Sequence, residues 1–286
     1  MTVLETILAP LDGTPASETG LAWARYAALR AGARLELLMV VDPEKSAANG
    51  HVEEARTYLG KLKEQLTASG VAAGTEVAIG CAGEEILARA GTASLTVMTC
   101  PATRWLFGGA LDVVMRSMTN PVVVVRGQNG RSNPEFDTQK VLVPLDQSSP
   151  SRFALPAAIE FCRQLGASLV LLNVVPPAAG IPNVFNAPPE LMAVVQRQVA
   201  EAESLLEQAA VQPRKEGVPT ETVVAVGDPA REIIRAAREV GAGLIAMATT
   251  GNSSLSMMMG SLSLGVVQAS PLPCLLVRPP KSPAAE

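Results

Sequence analysis

Histidine, aromatic side chains and a strong excess of either charge are what this sequence lacks. Its 286 residues hold one histidine, His51, and 3% Phe, Trp and Tyr. His51 falls between an apolar strand pattern and a polar helix pattern, where exposure is expected, and no Ser-His-Asp set assembles around it. No grouping of His and Cys has metal-ligand spacing. With so few aromatics, Val, Leu, Ile, Ala and Met must fill the cores. That favours a buried parallel sheet under Ala-rich helices over a sandwich. The net charge of −4 lacks the basic footprint of a nucleic-acid binder, so no nucleic-acid partner is expected. Cys81, Cys100, Cys162 and Cys274 form no CxxC pair and read as buried or half-buried small hydrophobes in a reducing compartment. No apolar run reaches the length of a membrane span. Met1–Glu5 leads into no basic-then-apolar segment, so the expectation is a cytoplasmic protein with no membrane partner.

What is present is a repeat. Ile-Leu-Ala-Pro-Leu-Asp at 7–12 matches Val-Leu-Val-Pro-Leu-Asp at 141–146, an offset of 146 − 12 = 134. The same offset carries Gly32-Ala33 onto Gly166-Ala167 and Leu35–Val41 onto Leu169–Val175 without a gap. Near the ends, Asn120-Pro121 followed by four valines and Arg126 matches Leu272-Pro273-Cys274-Leu275-Leu276-Val277-Arg278, where the offset has grown to 278 − 126 = 152. Insertions therefore lie between, the largest of them the Pro- and Ala-rich stretch from Pro176 to Pro189, which reads as a long loop. The duplication sets two domains, 1–127 and 139–280, with a polar linker at 128–138.

Each copy alternates strand and helix patterns, which means βαβ units and a mainly parallel sheet. In copy two the pattern predicts strands at Val141–Leu145, Ser168–Val175, Val223–Val226, Gly243–Ala248 and Cys274–Arg278. Helices are predicted at Arg152–Leu165, Pro189–Val211, Pro229–Val240 and Ser261–Ala269. The fold class is α/β, with two tandem doubly wound five-stranded parallel-sheet domains.

Ligands of such sheets sit beyond the carboxyl ends of the strands, where strand order reverses. In copy two those ends carry Pro144-Leu145-Asp146, Val175, and Met247-Ala248 leading to Gly251. Gly260-Ser261-Leu262-Ser263 then opens the last helix. Gly251 and Gly260 allow close backbone approach, the helix start offers unpaired N–H groups and a positive dipole end to an anion, and Ser261 and Ser263 add hydroxyl donors. Asp146 can accept from a ribose hydroxyl or an adenine amine, or cap the first helix through Ser148-Ser149. The glycines can equally be turn and cap residues. Met257-Met258-Met259 reads as core or interface packing.

These residues resemble the universal stress protein family: Pro-Leu-Asp after the first strand, Gly-Asp-Pro-Ala at 227–230, the strand ending in Met247, the loop from Gly251 to Gly260-Ser261, and the closing Pro-Cys-Leu-Leu-Val-Arg. The resemblance covers both halves. It implies an adenine nucleotide alpha hydrolase-like fold, and ATP, with or without Mg2+, held by Pro144, Asp146, Val175, Met247, Ala248, Gly251, Gly260, Ser261, Leu262 and Ser263. Nucleotide-binding members of that family carry Gly-x2-Gly-x9-Gly-Ser/Thr. Here the first glycine is Ala248, eight residues separate Gly251 from Gly260, and Asn252 stands where the family often has Lys or Arg.

Copy one departs further. Thr99 and Ala102 replace the first two glycines, and five residues separate Ala102 from Gly108. Asp112 falls in the first turn of the following helix, where its charge repels a phosphate. Copy one is therefore expected to be an empty structural partner, with Trp105 and Phe107 plugging the vacated space or facing a partner. The resemblance also implies that the last strands of the two copies pair antiparallel as an intrachain pseudo-dimer, and a homodimer of chains stays open. The expected function is a stress-response protein binding an adenine nucleotide in copy two; the alternative is a non-nucleotide interaction scaffold of the same family. No catalytic residues and no metal ligands are assigned, and turnover beyond slow ATP hydrolysis is not expected, since there is no Walker A lysine.

Overall fold

The computed structural model describes residues 4–46, 50–100, 109–127, 136–146, 148, 150–176, 189–249 and 261–279. In copy one the elements are β1 (Thr6–Leu11), α1 (Pro15–Ala31), β2 (Arg34–Val41), α2 (Pro43–Ser46), α3 (Gly50–Ala68), β3 (Ala73–Ile79), α4 (Ala82–Ala90), β4 (Leu95–Cys100), α5 (Ala110–Ser117) and β5 (Val122–Arg126). Copy two follows with β6 (Lys140–Pro144), a 3-10 turn at Pro150–Phe153, α6 (Ala154–Leu165), β7 (Ser168–Val175), α7 (Pro189–Lys215), β8 (Thr220–Val226), α8 (Pro229–Glu239), β9 (Leu244–Ala248), α9 (Ser261–Ala269) and β10 (Cys274–Val277).

The strands join in one sheet, ordered β3-β2-β1-β4-β5-β10-β9-β6-β7-β8. Pairing is parallel within each copy. Across the centre β5 and β10 run antiparallel, with Cys274 opposite Val124, Leu275 opposite Val123 and Leu276 opposite Val122. Strand side chains alternate between two apolar layers. Val123, Val125, Leu275 and Ala246 enter one, and Val122, Val124, Leu276 and Ile245 the other. Each layer draws residues from both copies. A parallel sheet covered on both faces needs such near-continuous apolar strands.

Local chemistry sets the ends. Gly32 and Gly166 close α1 and α6 at φ of 68° in both cases, a conformation that glycine adopts without the Cβ penalty. Thr14 caps α1 by accepting from the Ser17 N–H, with Pro15 at the first position, and Asp228 caps α8 by accepting from the Arg231 N–H.

Three expectations need correction. The helix predicted to stop at Val211 runs through Pro213 to Lys215, because a proline in the last turn deprives the helix of a single bond while Gly217, at φ 81°, turns the chain out. The strand predicted from Val223 starts at Thr220: its polar residues Glu221 and Thr222 are tolerated on an edge strand whose outer side faces solvent. Cys81 is exposed, unlike the other three cysteines. His51 is exposed as expected, but lies inside α3. Trp105, Phe107 and Met257–Met259 lie outside the described residues.

Helix–helix contacts show a compensated swap. Equivalence follows from shared hydrogen bonds: Gly80 N donates to Val41 O and Gly227 N to Val175 O, so α4 and α8 differ by 227 − 80 = 147. Gly83 in α4 therefore corresponds to Ala230, and Val113 in α5 to Gly265. A Cβ on Gly83 would stand 2.6 Å from Val113 Cβ, whereas one on Gly265 would stand 3.8 Å from Ala230 Cβ. Gly83→Ala should lower stability by about 1–3 kcal/mol through overpacking, and Gly265→Ala should raise it by roughly 0.5–1 kcal/mol through helix propensity. Urea denaturation of the two variants checks both signs; equal effects would refute the packing account.

Candidate functional site

In copy two the chain moves outward from β6 through β7 to β8, then returns across β6 to build β9 and β10. Strand order thus reverses between β6 and β9. Their ladder holds only Val141↔Leu244 and Leu142↔Ile245, while β6 and β7 pair from Lys140↔Ser168 to Pro144↔Leu172. Beyond Leu142 and Ile245 the neighbouring strands separate, and a crevice opens at their carboxyl ends. Copy one repeats the arrangement, with Ile7↔Leu95 and Leu8↔Thr96 joining β1 to β4.

Pro144 ends β6, half-buried, where a residue without an N–H leaves no donor unpaired. The chain is then pinned: Leu145 N donates to Leu172 O at 2.7 Å, and the buried Asn173 donates Nδ2 to Leu145 O at 2.7 Å. Asp146 follows, exposed. Its Oδ1 accepts from Ser148 N at 2.9 Å and from the Ser148 hydroxyl, which closes a turn ahead of the 3-10 segment; the N-cap of α6 is Phe153, without a side-chain cap bond, so Asp146 does not cap that helix. Asp12 closes the equivalent turn in copy one, accepting from Thr14 N at 2.9 Å and Thr14 Oγ1 at 2.6 Å. Burial would push both carboxyls up, but the hydrogen bonds, led by the Thr14 side chain and by the Ser148 side chain, outweigh it and hold both below the ordinary carboxylate value.

The other assigned residues sit around this opening. Val175 ends β7, buried, with its carbonyl accepting from Gly227 N at 3.0 Å. Met247 is buried in β9 opposite Leu276. Ala248 ends β9, and its carbonyl accepts the hydroxyl proton of the buried Ser263 at 3.0 Å. Ser263, expected as a donor to phosphate, thus spends its proton tying α9 to β9. Ser261 is the first residue of α9, and Leu262 beside it is exposed. Gly251 and Gly260 lie outside the described residues. Pro144, Asp146, Met247, Ala248 and the start of α9 therefore all lie at the carboxyl end of the sheet in copy two, with Val175 at the end of the next strand out.

Copy one keeps an open cleft of about 210 Å³ at the equivalent place, bounded by Asp12, Leu38, Ile86, Met98 and Cys100 and by Gly109 before α5. Met98 pairs with Val124 as Met247 pairs with Leu276, so the two ends are structurally equivalent. Burial raises the Cys100 thiol, partly offset by the positive charge of Arg126.

The repeat also contains a signal that motif reading missed. In the first turns of the helices at the carboxyl ends, copy one has Glu18, Glu84, Glu85 and Asp112, and copy two has Arg152, Arg231, Glu232 and Leu264 at the corresponding positions, by offsets of 134, 147, 147 and 152. At the cap of α8 the trend reverses, Asp228 standing where copy one has Cys81. Comparing charges across the repeat would have found these residues. Among the described residues no cluster of His, Cys, Asp and Glu could hold a metal, and no helix is long and apolar enough to cross a membrane.

Comparison with known proteins identifies the relatives. The model of the universal stress protein family matches residues 4–126 and again 137–278. The universal stress protein YxiE of Bacillus subtilis is 35% identical over 145 residues, covering 49% of this chain and 98% of that protein. Among solved structures, a universal stress protein from Archaeoglobus fulgidus superposes with a TM-score of 0.72 at 19% identity, over 96% of this chain and 97% of the other. A functionally unknown protein from Pseudomonas aeruginosa PAO1 gives 0.64 at 15% identity, over 96% and 93%.

The turn-closing carboxylates Asp12 and Asp146 generate a pH prediction. A carboxyl whose folded pKa is depressed stabilises the fold above its unfolded value, near 3.9, and loses that contribution as pH falls through the folded value. Asp12→Asn/Asp146→Asn retains an acceptor for the same turn but cannot titrate. Its urea midpoint should fall less than the parent's between pH 6 and pH 3, the two being closest at the acid end. Parallel midpoint curves for the two proteins would refute the assignment.

Proposed function

Because this chain belongs to the universal stress protein family along both of its halves, we propose that it is a stress-response protein whose C-terminal copy holds ATP, with the N-terminal copy as its intrachain structural partner in a pseudo-dimer. The observation that carries this reading is the shift toward positive charge at two helix starts of copy two, where Arg152 and Arg231 stand for Glu18 and Glu84. The helix starts of copy one carry Glu18, Glu84, Glu85 and Asp112, and the matching positions of copy two carry Arg152, Arg231, Glu232 and Leu264, so copy two presents the less acidic approach to a phosphate. Arg152 and Arg231 are exposed, so each acts through solvent, and within a Debye length such charges set local anion concentration more than they form fixed contacts.

The residues fit a nucleotide in a stated division of labour. Pro144, Val175 and Met247 supply apolar wall for the base, and Asp146 an acceptor for ribose or amine. The N–H groups of the first turn of α9, with the Ser261 hydroxyl, meet the phosphates at the positive end of the helix. Mg2+ would add charge neutralisation at the phosphates. A second reading, a scaffold that holds no nucleotide, draws on the Ser263 hydroxyl, which is spent on Ala248. Nothing in the chain's chemistry calls for turnover, and a homodimer of chains is not needed to complete the site.

Calorimetric titration of the full chain with MgATP separates the two. One equivalent should bind. Asp146→Ala and Gly260→Trp should abolish binding while circular dichroism stays native, and Asp12→Ala should leave it intact. Arg152→Glu/Arg231→Glu should weaken it roughly three- to tenfold at low salt and less at high salt. No uptake by the parent chain supports the scaffold; equal losses from Asp12→Ala and Asp146→Ala refute the asymmetry.

A further inference from the structure

The last carbonyls of a helix have no partner inside it and stand at the negative end of its dipole. In α9 the Val266 carbonyl is taken by Ser270 N at 2.7 Å, and in α5 the Val114 carbonyl by Met118 N at 2.7 Å. Two residues further along, the Gln268 carbonyl accepts from the guanidinium of Arg126, and the Arg116 carbonyl from the guanidinium of Arg278. Arg126 ends β5 and Arg278 follows β10, so each arginine comes from the copy opposite to the helix it grips. The positions are equivalent, 126 + 152 = 278 and 116 + 152 = 268. The two clamps are thus one contact repeated by the symmetry of the antiparallel β5–β10 pair.

What differs is the far end of each gripped helix. The helix α5 begins after Gly109 and carries Asp112 in its first turn. The helix α9 begins at Ser261 with no acid in its first turn. At nine residues, α9 is too short to be stable by itself in water, so its order depends on packing and on what holds its ends. The stem of Arg126 is fixed: it pairs opposite Cys100 in the β4–β5 ladder, and Gly127 N donates to Cys100 O at 2.8 Å.

We infer that Arg126, a residue of the N-terminal copy, is a positioning residue for the ligand site of the C-terminal copy: it holds the carboxyl end of α9 and so keeps the first-turn N–H groups ordered toward the phosphate. The inference rests on the nucleotide reading above for its ligand, and on α9 alone for its structural part. Copy one is thereby a working component of the site in copy two, although no side chain of copy one reaches the crevice among the contacts described.

The test uses the full chain with Arg126→Ala, Arg278→Ala and Arg126→Lys. The two alanine variants remove the same contact across the same interface, so a generally structural role predicts the same effect from both. In hydrogen-exchange mass spectrometry, Arg126→Ala should speed exchange in 261–270 and leave 109–118 unchanged, and Arg278→Ala should do the reverse. In MgATP titration, Arg126→Ala should weaken binding about three- to tenfold. Arg278→Ala should leave the affinity unchanged, and Arg126→Lys should restore most of it by keeping a cation at the helix end. Unchanged exchange in 261–270 for Arg126→Ala, or equal loss of ATP affinity from both alanine variants, overturns the inference. A parent chain that takes up no ATP removes the nucleotide reading by itself, and the exchange data then still uphold or overturn the hold of Arg126 on α9.

Discussion

The antiparallel meeting of β5 and β10 is the interaction on which the rest of this structure depends. A doubly wound parallel sheet ends in a strand whose outer N–H and C=O groups need a partner. Each copy has such a strand, and each supplies the other's missing neighbour through three opposed residue pairs. One sheet results, and with it two apolar layers that run through both copies without a break. The join extends to the helices on one face. Arg30 at the end of α1 donates Nε and Nη2 to the Leu165 carbonyl at the end of α6, and the equivalent residue Gln164 accepts from Leu4 N at 2.9 Å. The copies are thus sealed by backbone pairing, shared core and reciprocal polar contacts.

Within that shared frame the copies have diverged where packing allows it. The glycine of one helix pair and the bulk of its partner exchange places between copies: Gly83 against Val113 in one, Ala230 against Gly265 in the other. The second pair has two fewer side-chain carbons, and its contact is correspondingly looser. A comparable exchange sits at the crevice. Gly20 in α1 leaves room for Thr99, a Cβ there standing 2.3 Å from its hydroxyl, and in copy two the equivalent residues are Ala154 and Ala248. The alanine that replaces a glycine in the nucleotide motif therefore belongs to a matched pair and need not distort the loop around it. Charge, by contrast, is unconstrained by packing at an exposed position such as Glu84, whose counterpart Arg231 is exposed too, and there the two copies differ in sign.

The fold was legible because its signal is repeated and periodic. A gap-free offset over 7–41 identified the duplication, and the second strand of copy two falls at Ser168–Val175 in both pattern and structure. Apolar alternation and capping residues suffice for such elements. They fail where tertiary context overrides local chemistry, as at Pro213, itself buried in the last turn of α7, and at Glu221, which an edge strand accommodates. The site was legible in placement and less so in role. The strand-end rule places Pro144, Asp146, Met247 and Ala248 at one end of the sheet, because topology alone fixes that. It could not say that the Ser263 proton goes to Ala248 or that the Val175 carbonyl goes to Gly227, since those bonds depend on how closely α9 and the turn before α8 approach the sheet. Nor could a motif search reach Arg126 and Arg278, whose partners lie 142 and 162 positions away.

The two aspartates show why motif survival is weak evidence for a ligand. Pro-Leu-Asp ends the first strand in both copies, although the helix starts that follow differ in charge between them. The geometry gives both a use without a nucleotide: Asp12 and Asp146 each accept the N–H and the hydroxyl proton of the residue two positions later and close the turn that leaves the first strand. An acidic side chain with that duty is retained wherever the turn is needed. Discrimination between the copies must therefore come from elsewhere: from the exposed helix-start charges Glu84, Arg152 and Arg231, and from the carboxyl end of α9, where Arg126 of the other copy joins Ser270 in taking the last carbonyls. On both counts the asymmetry points toward copy two, and in the second it is the other copy that completes the support.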